Sequence, residues 1–421
     1  RTVHTGLLEY KNVYRPARVI SYDKESGELV LHNYMDFDNL KDYVKISYEL
    51  TQDGLLIGKG KLDEVSVVPH SEGKTNLQVN VPENGKCYLK LTYHLKKEMP
   101  LLEEGYILGF DEIEVSQKDA KCQLAEKWVE KTVTDSELQV SEDDTQIHIK
   151  GREFAYTIDR RTALFTEMKF AGREYLNHPM ELNIWRAPTD NDMYIKSEWK
   201  KAHYDKAYTR AYTTEVVQGK HGVKITSHAS VVAETVQKIL DVTITWKIEA
   251  TGKIDADIEV TKDDEFPDLP RFGVRMFLDK KLSAVRYFGM GPQESYCDKH
   301  QAASHGLYQA NVDDLHEDYI RPQENGSHYD CEYVELNNSR YGIVVSAENA
   351  FSFNASYYTQ EELEEKTHNY ELTESDSVVF CVDYALNGIG SNSCGPVVLE
   401  QYRFDDVLFR FQFTLIPYIK G

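Results

Sequence analysis

The sequence predicts an all-β protein built as two sandwiches, a small one followed by a much larger one. Three observations predict it. Apolar and polar residues alternate with period two in segment after segment, as in Tyr43-Val44-Lys45-Ile46-Ser47-Tyr48-Glu49-Leu50 and Thr145-Gln146-Ile147-His148-Ile149-Lys150. Turn residues separate these runs at short intervals. The stretch from residue 137 onward is too long for one ordinary sandwich, yet it keeps the strand pattern to its end.

In the first part, Val19-Ile20-Ser21-Tyr22 and Glu28-Leu29-Val30-Leu31-His32-Asn33-Tyr34 read as strands joined by a turn at Glu25-Ser26-Gly27. Asp53-Gly54 is a hairpin signal after the strand at Tyr43–Leu50. Cys87 to Tyr93 alternates again, and Glu112-Ile113-Glu114-Val115 reads as a closing strand. Short strands at this spacing over residues 1–118 suggest an immunoglobulin-like sandwich. The chain start reads as ordinary strand and loop. Residues 119–136 lose the alternation and read as a linker that could hold one short helix.

Residues 137–421 form the large sandwich. Val236–Ile248 and Lys253–Val260 read as a hairpin about Thr251-Gly252, and Val407–Leu415 as a long last strand. Thr359-Gln360-Glu361-Glu362 has the capping-box pattern and opens an acidic helix towards His368.

Composition narrows the function. With 70 acidic against 48 basic residues and a net charge of -22, the chain repels phosphate backbones, which argues against a nucleic-acid partner. No apolar run reaches membrane-span length. The six cysteines, Cys87, Cys122, Cys297, Cys331, Cys381 and Cys394, show neither zinc spacing nor a need for staples in a chain this large. They read as reduced thiols, which favours the cytoplasm.

The densest chemistry lies in Trp185-Arg186-Ala187-Pro188-Thr189-Asp190-Asn191-Asp192. Proline disfavours helix at the residue before it, and Asp and Asn favour turns. A strand from Met180 to Trp185 should therefore stop at Pro188 and turn. An Arg186 pair with Asp190 or Asp192 would brace it. Asp190 and Asp192 lack the remaining ligands of a calcium loop, so no metal is assigned. Gly289-Met290-Gly291-Pro292-Gln293-Glu294 reads as a tight turn rather than a phosphate cradle, because no helix pattern follows Pro292. Asn387-Gly388-Ile389-Gly390-Ser391-Asn392-Ser393-Cys394-Gly395-Pro396 joins two strands and by itself reads as a hairpin loop; Cys394 has no adjacent base to make it a nucleophile. For a mutarotase-like acid–base pair, Glu294, Glu324, His300 and His328 are the first candidates.

Together, Arg186–Asp192, Gly289–Tyr296, Pro322-Gln323-Glu324-Asn325-Gly326 and Gly388–Pro396 resemble, in order and approximate spacing, the carboxy-terminal part of large bacterial β-galactosidases of glycoside hydrolase family 2. The resemblance covers the whole chain. It implies that residues 1 to about 118 correspond to the fourth domain of such enzymes. Residues from about 137 correspond to the fifth, a supersandwich like that of galactose mutarotases. It also implies that the catalytic glutamates, and a magnesium ion near them, belong to a (β/α)8 barrel outside this chain, so no catalytic residue is assigned here. By the same resemblance, Met193, Tyr194 and Ile195 begin a mobile loop at the rim of the sugar pocket. Ser391, Asn392, Ser393 and Cys394 form a second rim segment, with Cys394 where relatives carry a tryptophan platform. Arg186, Pro188, Asp190, Asn191 and Asp192 are the bracing turn. The implied partners are a β-galactoside such as lactose, the barrel and further copies of the enzyme. A stand-alone sugar-binding or mutarotase-like protein and a purely structural sandwich are the alternatives.

Overall fold

The computed structural model describes residues 3–117 and 138–420. These divide into two compact units: one of residues up to 117 with Phe288–Gln293 and His300–Leu307, the other holding the remaining described residues. The expected linker at 119–136 lies outside the described residues.

In the first unit, a three-stranded sheet pairs Ala17–Tyr22, Glu28–Asn33 and Glu72–Asn76. A four-stranded sheet runs Leu55–Lys61, Val44–Gln52, Cys87–Leu95 and Ile107–Ser116. Both are antiparallel. Their alternating apolar residues meet in one core, with Leu29 and Leu31 from the first sheet and Cys87, Leu89, Leu91 and Tyr93 from the second. This is the small β-sandwich that the alternation predicts. Asp53 and Gly54 form the two-residue turn between Val44–Gln52 and Leu55–Lys61, at φ 49° and 79°, which is why an Asp-Gly pair sits there.

The chain start departs from the strand-and-loop expectation. Thr5–Val13 is an α-helix whose buried residues are the polar Thr5 and Asn12. Asn12 is held by its amide: Oδ1 accepts from the Phe110 N–H at 2.7 Å, and Nδ2 donates to the Gln301 carbonyl at 2.9 Å. A helix that buries polar residues and exposes Leu7 and Tyr10 leaves no apolar stripe in the sequence.

The second unit is a large sandwich. Its long antiparallel sheet runs Leu176–Asn183, Arg271–Asp279, Ser377–Leu386, Tyr341–Ser356, Leu408–Ile419, Ile254–Lys262, Leu240–Glu249, Gly222–Val232 and Tyr208–Gln218. A five-stranded sheet from Gln139–Glu142 to Arg173–Glu174 covers it. The layers meet through aromatic residues. Phe165 lies edge-on to Trp246 at 4.9 Å between centroids, and the Trp246 indole N–H donates to the Ala163 carbonyl at 2.8 Å. The Tyr156 hydroxyl donates to the Gly252 carbonyl at 2.7 Å, at the turn that joins Leu240–Glu249 to Ile254–Lys262.

Two expectations need correction here. Ser377–Leu386 and Leu408–Ile419 are not hairpin neighbours, because Tyr341–Ser356 pairs with both and separates them. The segment containing Asn387–Pro396 is therefore a crossover connection. Only half of the capping box at Thr359 forms: the Glu362 N–H donates to Thr359 Oγ1 at 3.1 Å, while the Glu362 carboxylate accepts from the Thr373 N–H at 2.7 Å, and the helix ends at Glu365, short of His368.

Candidate functional site

The site begins with a guanidinium inside the protein. The strand Leu176–Asn183 ends just before Trp185, and Pro188 turns the chain into a single 3₁₀ turn at Asp190–Asp192. Arg186 and Asp192 are both buried. Arg186 Nε donates to Asp192 Oδ2 at 3.1 Å and Nη2 to Oδ1 at 2.7 Å, a parallel fork that only arginine can offer a carboxylate. Asp192 Oδ2 also accepts from the Thr189 N–H at 2.8 Å, which closes the turn. Of the two acidic partners considered from sequence, the structure selects Asp192.

The remaining N–H groups of Arg186 reach the glycine-rich crossover. Nη1 donates to the Asn387 carbonyl, and Nη2 to the Gly388 carbonyl at 3.2 Å. Asn191 adds a bond from its Nδ2 to the Ile389 carbonyl at 2.5 Å. The guanidinium also lies 5.3 Å from the Trp199 ring centroid.

The Pro322–Gly326 segment joins on the other side. The Asp190 N–H donates to Gln323 Oε1 at 3.1 Å, Gln323 Nε2 donates to Asp190 Oδ2 at 3.3 Å, and the Glu324 N–H donates to the Ala187 carbonyl at 3.0 Å. Gly326 has φ +71°, and a Cβ there would stand 2.4 Å from the Leu315 carbonyl oxygen, so this position requires glycine.

These segments enclose a cavity of about 400 Å³. Its walls are Pro188, Thr189, Asp190, Met193, Lys196, Arg321, Pro322, Gln323, Glu364 and Ser393. The walls combine polar and charged side chains with the apolar surfaces of the prolines and Met193. Glu364 is held by Lys200 at 2.6 Å and Asp190 by Gln323, so both carboxylates at the cavity are already partnered. Among the described residues there is no group of three or more His, Cys, Asp or Glu placed to hold a metal ion.

Of the residues expected at the rim, Met193 and Ser393 line this cavity, while Tyr194, Ile195, Ser391, Asn392 and Cys394 do not. Tyr194 and Cys394 are exposed, and Ser391 and Asn392 are half-buried, Asn392 with a left-handed φ of 97°. Ile195 is half-buried against the core and opens an α-helix, Ile195–Lys201, where the resemblance implied a mobile loop. Trp199 is the fully buried anchor of that helix.

Glu294, Glu324, His300 and His328 do not form an acid–base pair at the cavity; none of the four lines it. Glu294 is buried and accepts from Lys299, Tyr319 and the Gly326 N–H. Glu324 is buried beside Arg271, whose Nη1 donates to it at 3.1 Å. Burial pushes the Glu324 carboxyl up, and the Arg271 and Arg186 charges only partly oppose this. His328 is stacked against Phe353, and His300 belongs to the first compact unit.

One carboxylate that holds the glycine-rich crossover was missed from sequence. Asp298 accepts from the Ile389 N–H at 2.9 Å and from the Gly390 N–H at 2.7 Å. Its place just after the Gly289–Tyr296 motif was the only available signal.

Comparison with known proteins gives this geometry a family. A model described as Beta galactosidase small chain matches residues 150–415, and one described as Beta-galactosidase, domain 4 matches residues 29–116. A β-galactosidase of Actinobacillus pleuropneumoniae is 43% identical over 418 residues, covering 99% of this chain and 40% of the relative. One of Staphylococcus xylosus is 31% identical over 421 residues, covering 99% of this chain and 41% of the relative. A galactose 1-epimerase structure from Lactobacillus acidophilus aligns with a TM-score of 0.38 at 8% identity, over 69% of this chain and 100% of its own. The chain spans about 40% of the length of the curated relatives it matches. With the small-chain model matched over more than half its residues, the chain belongs to the β-galactosidase small-chain family.

Proposed function

We propose that this chain is the carboxy-terminal, non-catalytic part of a retaining β-galactosidase of glycoside hydrolase family 2. The parent enzyme would release terminal β-D-galactose from β-galactosides such as lactose. Two β-galactosidase relatives match nearly the whole chain while extending well beyond it, which supports this reading. Retaining hydrolysis needs two carboxyl groups about 5–5.5 Å apart, one as nucleophile and one as acid and base. In this account both belong to a barrel domain elsewhere in the enzyme, together with magnesium.

The chain's own task is to shape the pocket rim and to carry oligomer contacts. The observation behind the rim role is the convergence of three signature segments on one cavity, which Pro188–Asp190, Arg321–Gln323 and Ser393 all border. Met193 and the loop tip at Ser391–Cys394 would meet the leaving-group half of the substrate. Cytoplasmic residence is part of the same proposal, supported by the unbridged thiols of Cys87, Cys297, Cys381 and Cys394.

The test is Cys394→Trp in the full-length enzyme. An indole at the exposed loop tip offers a stacking face to glucose, so the Michaelis constant for lactose should fall. An unchanged constant for lactose would remove the loop tip from the rim.

A further inference from the structure

We propose that Asp298 is the positioning residue of the glycine-rich loop Asn387–Pro396, fixing its tip where the leaving-group half of a β-galactoside is met. This rests on the rim role proposed above. Asp298 stands in a two-residue turn, Cys297-Asp298, closed by the reciprocal bonds of Tyr296 and Lys299. The turn has a firm base, because Tyr296 is buried in a small cluster with Leu386 and Ile389, at the start of the loop it would hold.

From this base the carboxylate reaches two successive backbone N–H groups, Ile389 at 2.9 Å and Gly390 at 2.7 Å. Two consecutive amides converging on one anion form a cradle whose geometry is set by the anion. The glycines fit this purpose. Gly388 and Gly390 are not among the residues with positive φ, so no left-handed backbone demands them. A Cβ on Gly388 would instead stand 2.7 Å from Asp298 Oδ2, and one on Gly390 3.2 Å from the same oxygen. They are small so that the carboxylate can come close. Arg186 and Asn191 hold the carbonyls of Asn387, Gly388 and Ile389, so the loop root is gripped through both its acceptors and its donors. Of the two grips, only Asp298 acts on the N–H groups that lead directly into Ser391–Cys394.

The experiment uses the full-length enzyme with Asp298→Asn, Asp298→Ala, Gly388→Ala and the Asp298→Ala/Gly388→Ala pair. Asparagine keeps one acceptor but turns an N–H towards an N–H. Loss of one charge-assisted bond should raise the Michaelis constant for lactose about 5–10-fold, with kcat and inhibition by free galactose within about twofold of wild type. Amide exchange at Ile389 and Gly390 should quicken, while exchange across Arg186–Asp192 stays as in wild type. Gly388→Ala should do similar harm alone and add little to Asp298→Ala, because its two tightest contacts are with the carboxylate and the third, Val398 Cγ1 at 3.0 Å, is a side-chain methyl that needs to give by only a few tenths of an ångström. An unchanged lactose constant, or galactose inhibition that shifts in step with it, would overturn the proposal. A wild-type enzyme that hydrolyses no β-galactoside would overturn the rim role itself. Unchanged exchange in Asp298→Asn of an active enzyme would overturn the positioning role alone.

Discussion

Arg186 and Asp192 form a two-pronged ion pair with side chains 0% and 5% exposed, and the same guanidinium ties down the carbonyls of Asn387 and Gly388, about two hundred residues later in the chain. A pair this deep has two consequences. Making it costs the desolvation of both ions. Breaking it leaves a charge with nowhere to go.

Asp192→Asn should therefore lower the unfolding free energy of the second unit by about 3–5 kcal/mol, the range for removing one partner of a buried pair. Arg186→Lys should do comparable harm despite keeping the charge, because an ammonium cannot span both carboxylate oxygens and both carbonyls. Urea unfolding followed by tryptophan fluorescence reads this directly through Trp185 and Trp199, which lie 6.2 Å apart beside the pair. A loss below about 1 kcal/mol would place the pair among surface-like bridges.

Glu324 gives a pH signature. Burial raises its carboxyl above the ordinary glutamate value, and its Oε1 has no hydrogen-bond partner among the described residues. A raised native pKa means that the folded state binds the proton more tightly than the unfolded state. Between the ordinary and the raised value, stability therefore falls as pH rises, by at most about 1.4 kcal/mol per unit for one proton. Asp383, also pushed up by burial and also bound to Arg271, acts in the same direction. Glu324→Gln removes one of these titrations. Its stability relative to wild type should grow as pH rises through the raised value, and the two curves should run parallel below the ordinary glutamate pKa. Parallel curves across the whole range would show that Glu324 does not titrate with folding.

Asn12→Ala tests the helix that the alternation did not reveal. The substitution leaves the Phe110 N–H without its acceptor, which should cost about 1–3 kcal/mol. Asn12→Asp keeps an acceptor for that N–H but loses the donor to the Gln301 carbonyl, so it should recover part of the loss. Thermal unfolding of the three forms in parallel decides the order.

The strands of both units were legible because each buries one face and so writes its period into the sequence. Cys87–Leu95 is the clear case, with Cys87, Leu89, Leu91 and Tyr93 in one core. Local chemistry was equally legible where a turn or cap decides it, as at Asp53-Gly54, Pro188 and Thr359. What could not be read is what depends on distant partners. Nothing near Ser377–Leu386 says that its neighbour is Tyr341–Ser356, so its connection to Leu408–Ile419 looked like a hairpin. The helix Ile195–Lys201 is short and buries Trp199 alone, too little for an apolar stripe. Asp298 drew no notice because the amides it holds lie 91 and 92 residues later. The cavity was legible only in part. Its signature segments were recognisable, but Lys196 and Glu364 come from helices that only the fold brings to it.

Hydrolysis of nitrophenyl β-galactoside, measured side by side for the purified chain and for the full-length enzyme that contains it, tests the division of labour most directly. The account predicts turnover by the full-length enzyme and none above buffer for the chain alone, because the proposed function assigns the paired carboxylates of a retaining mechanism to a barrel outside this chain. Robust turnover by the pure chain would contradict it.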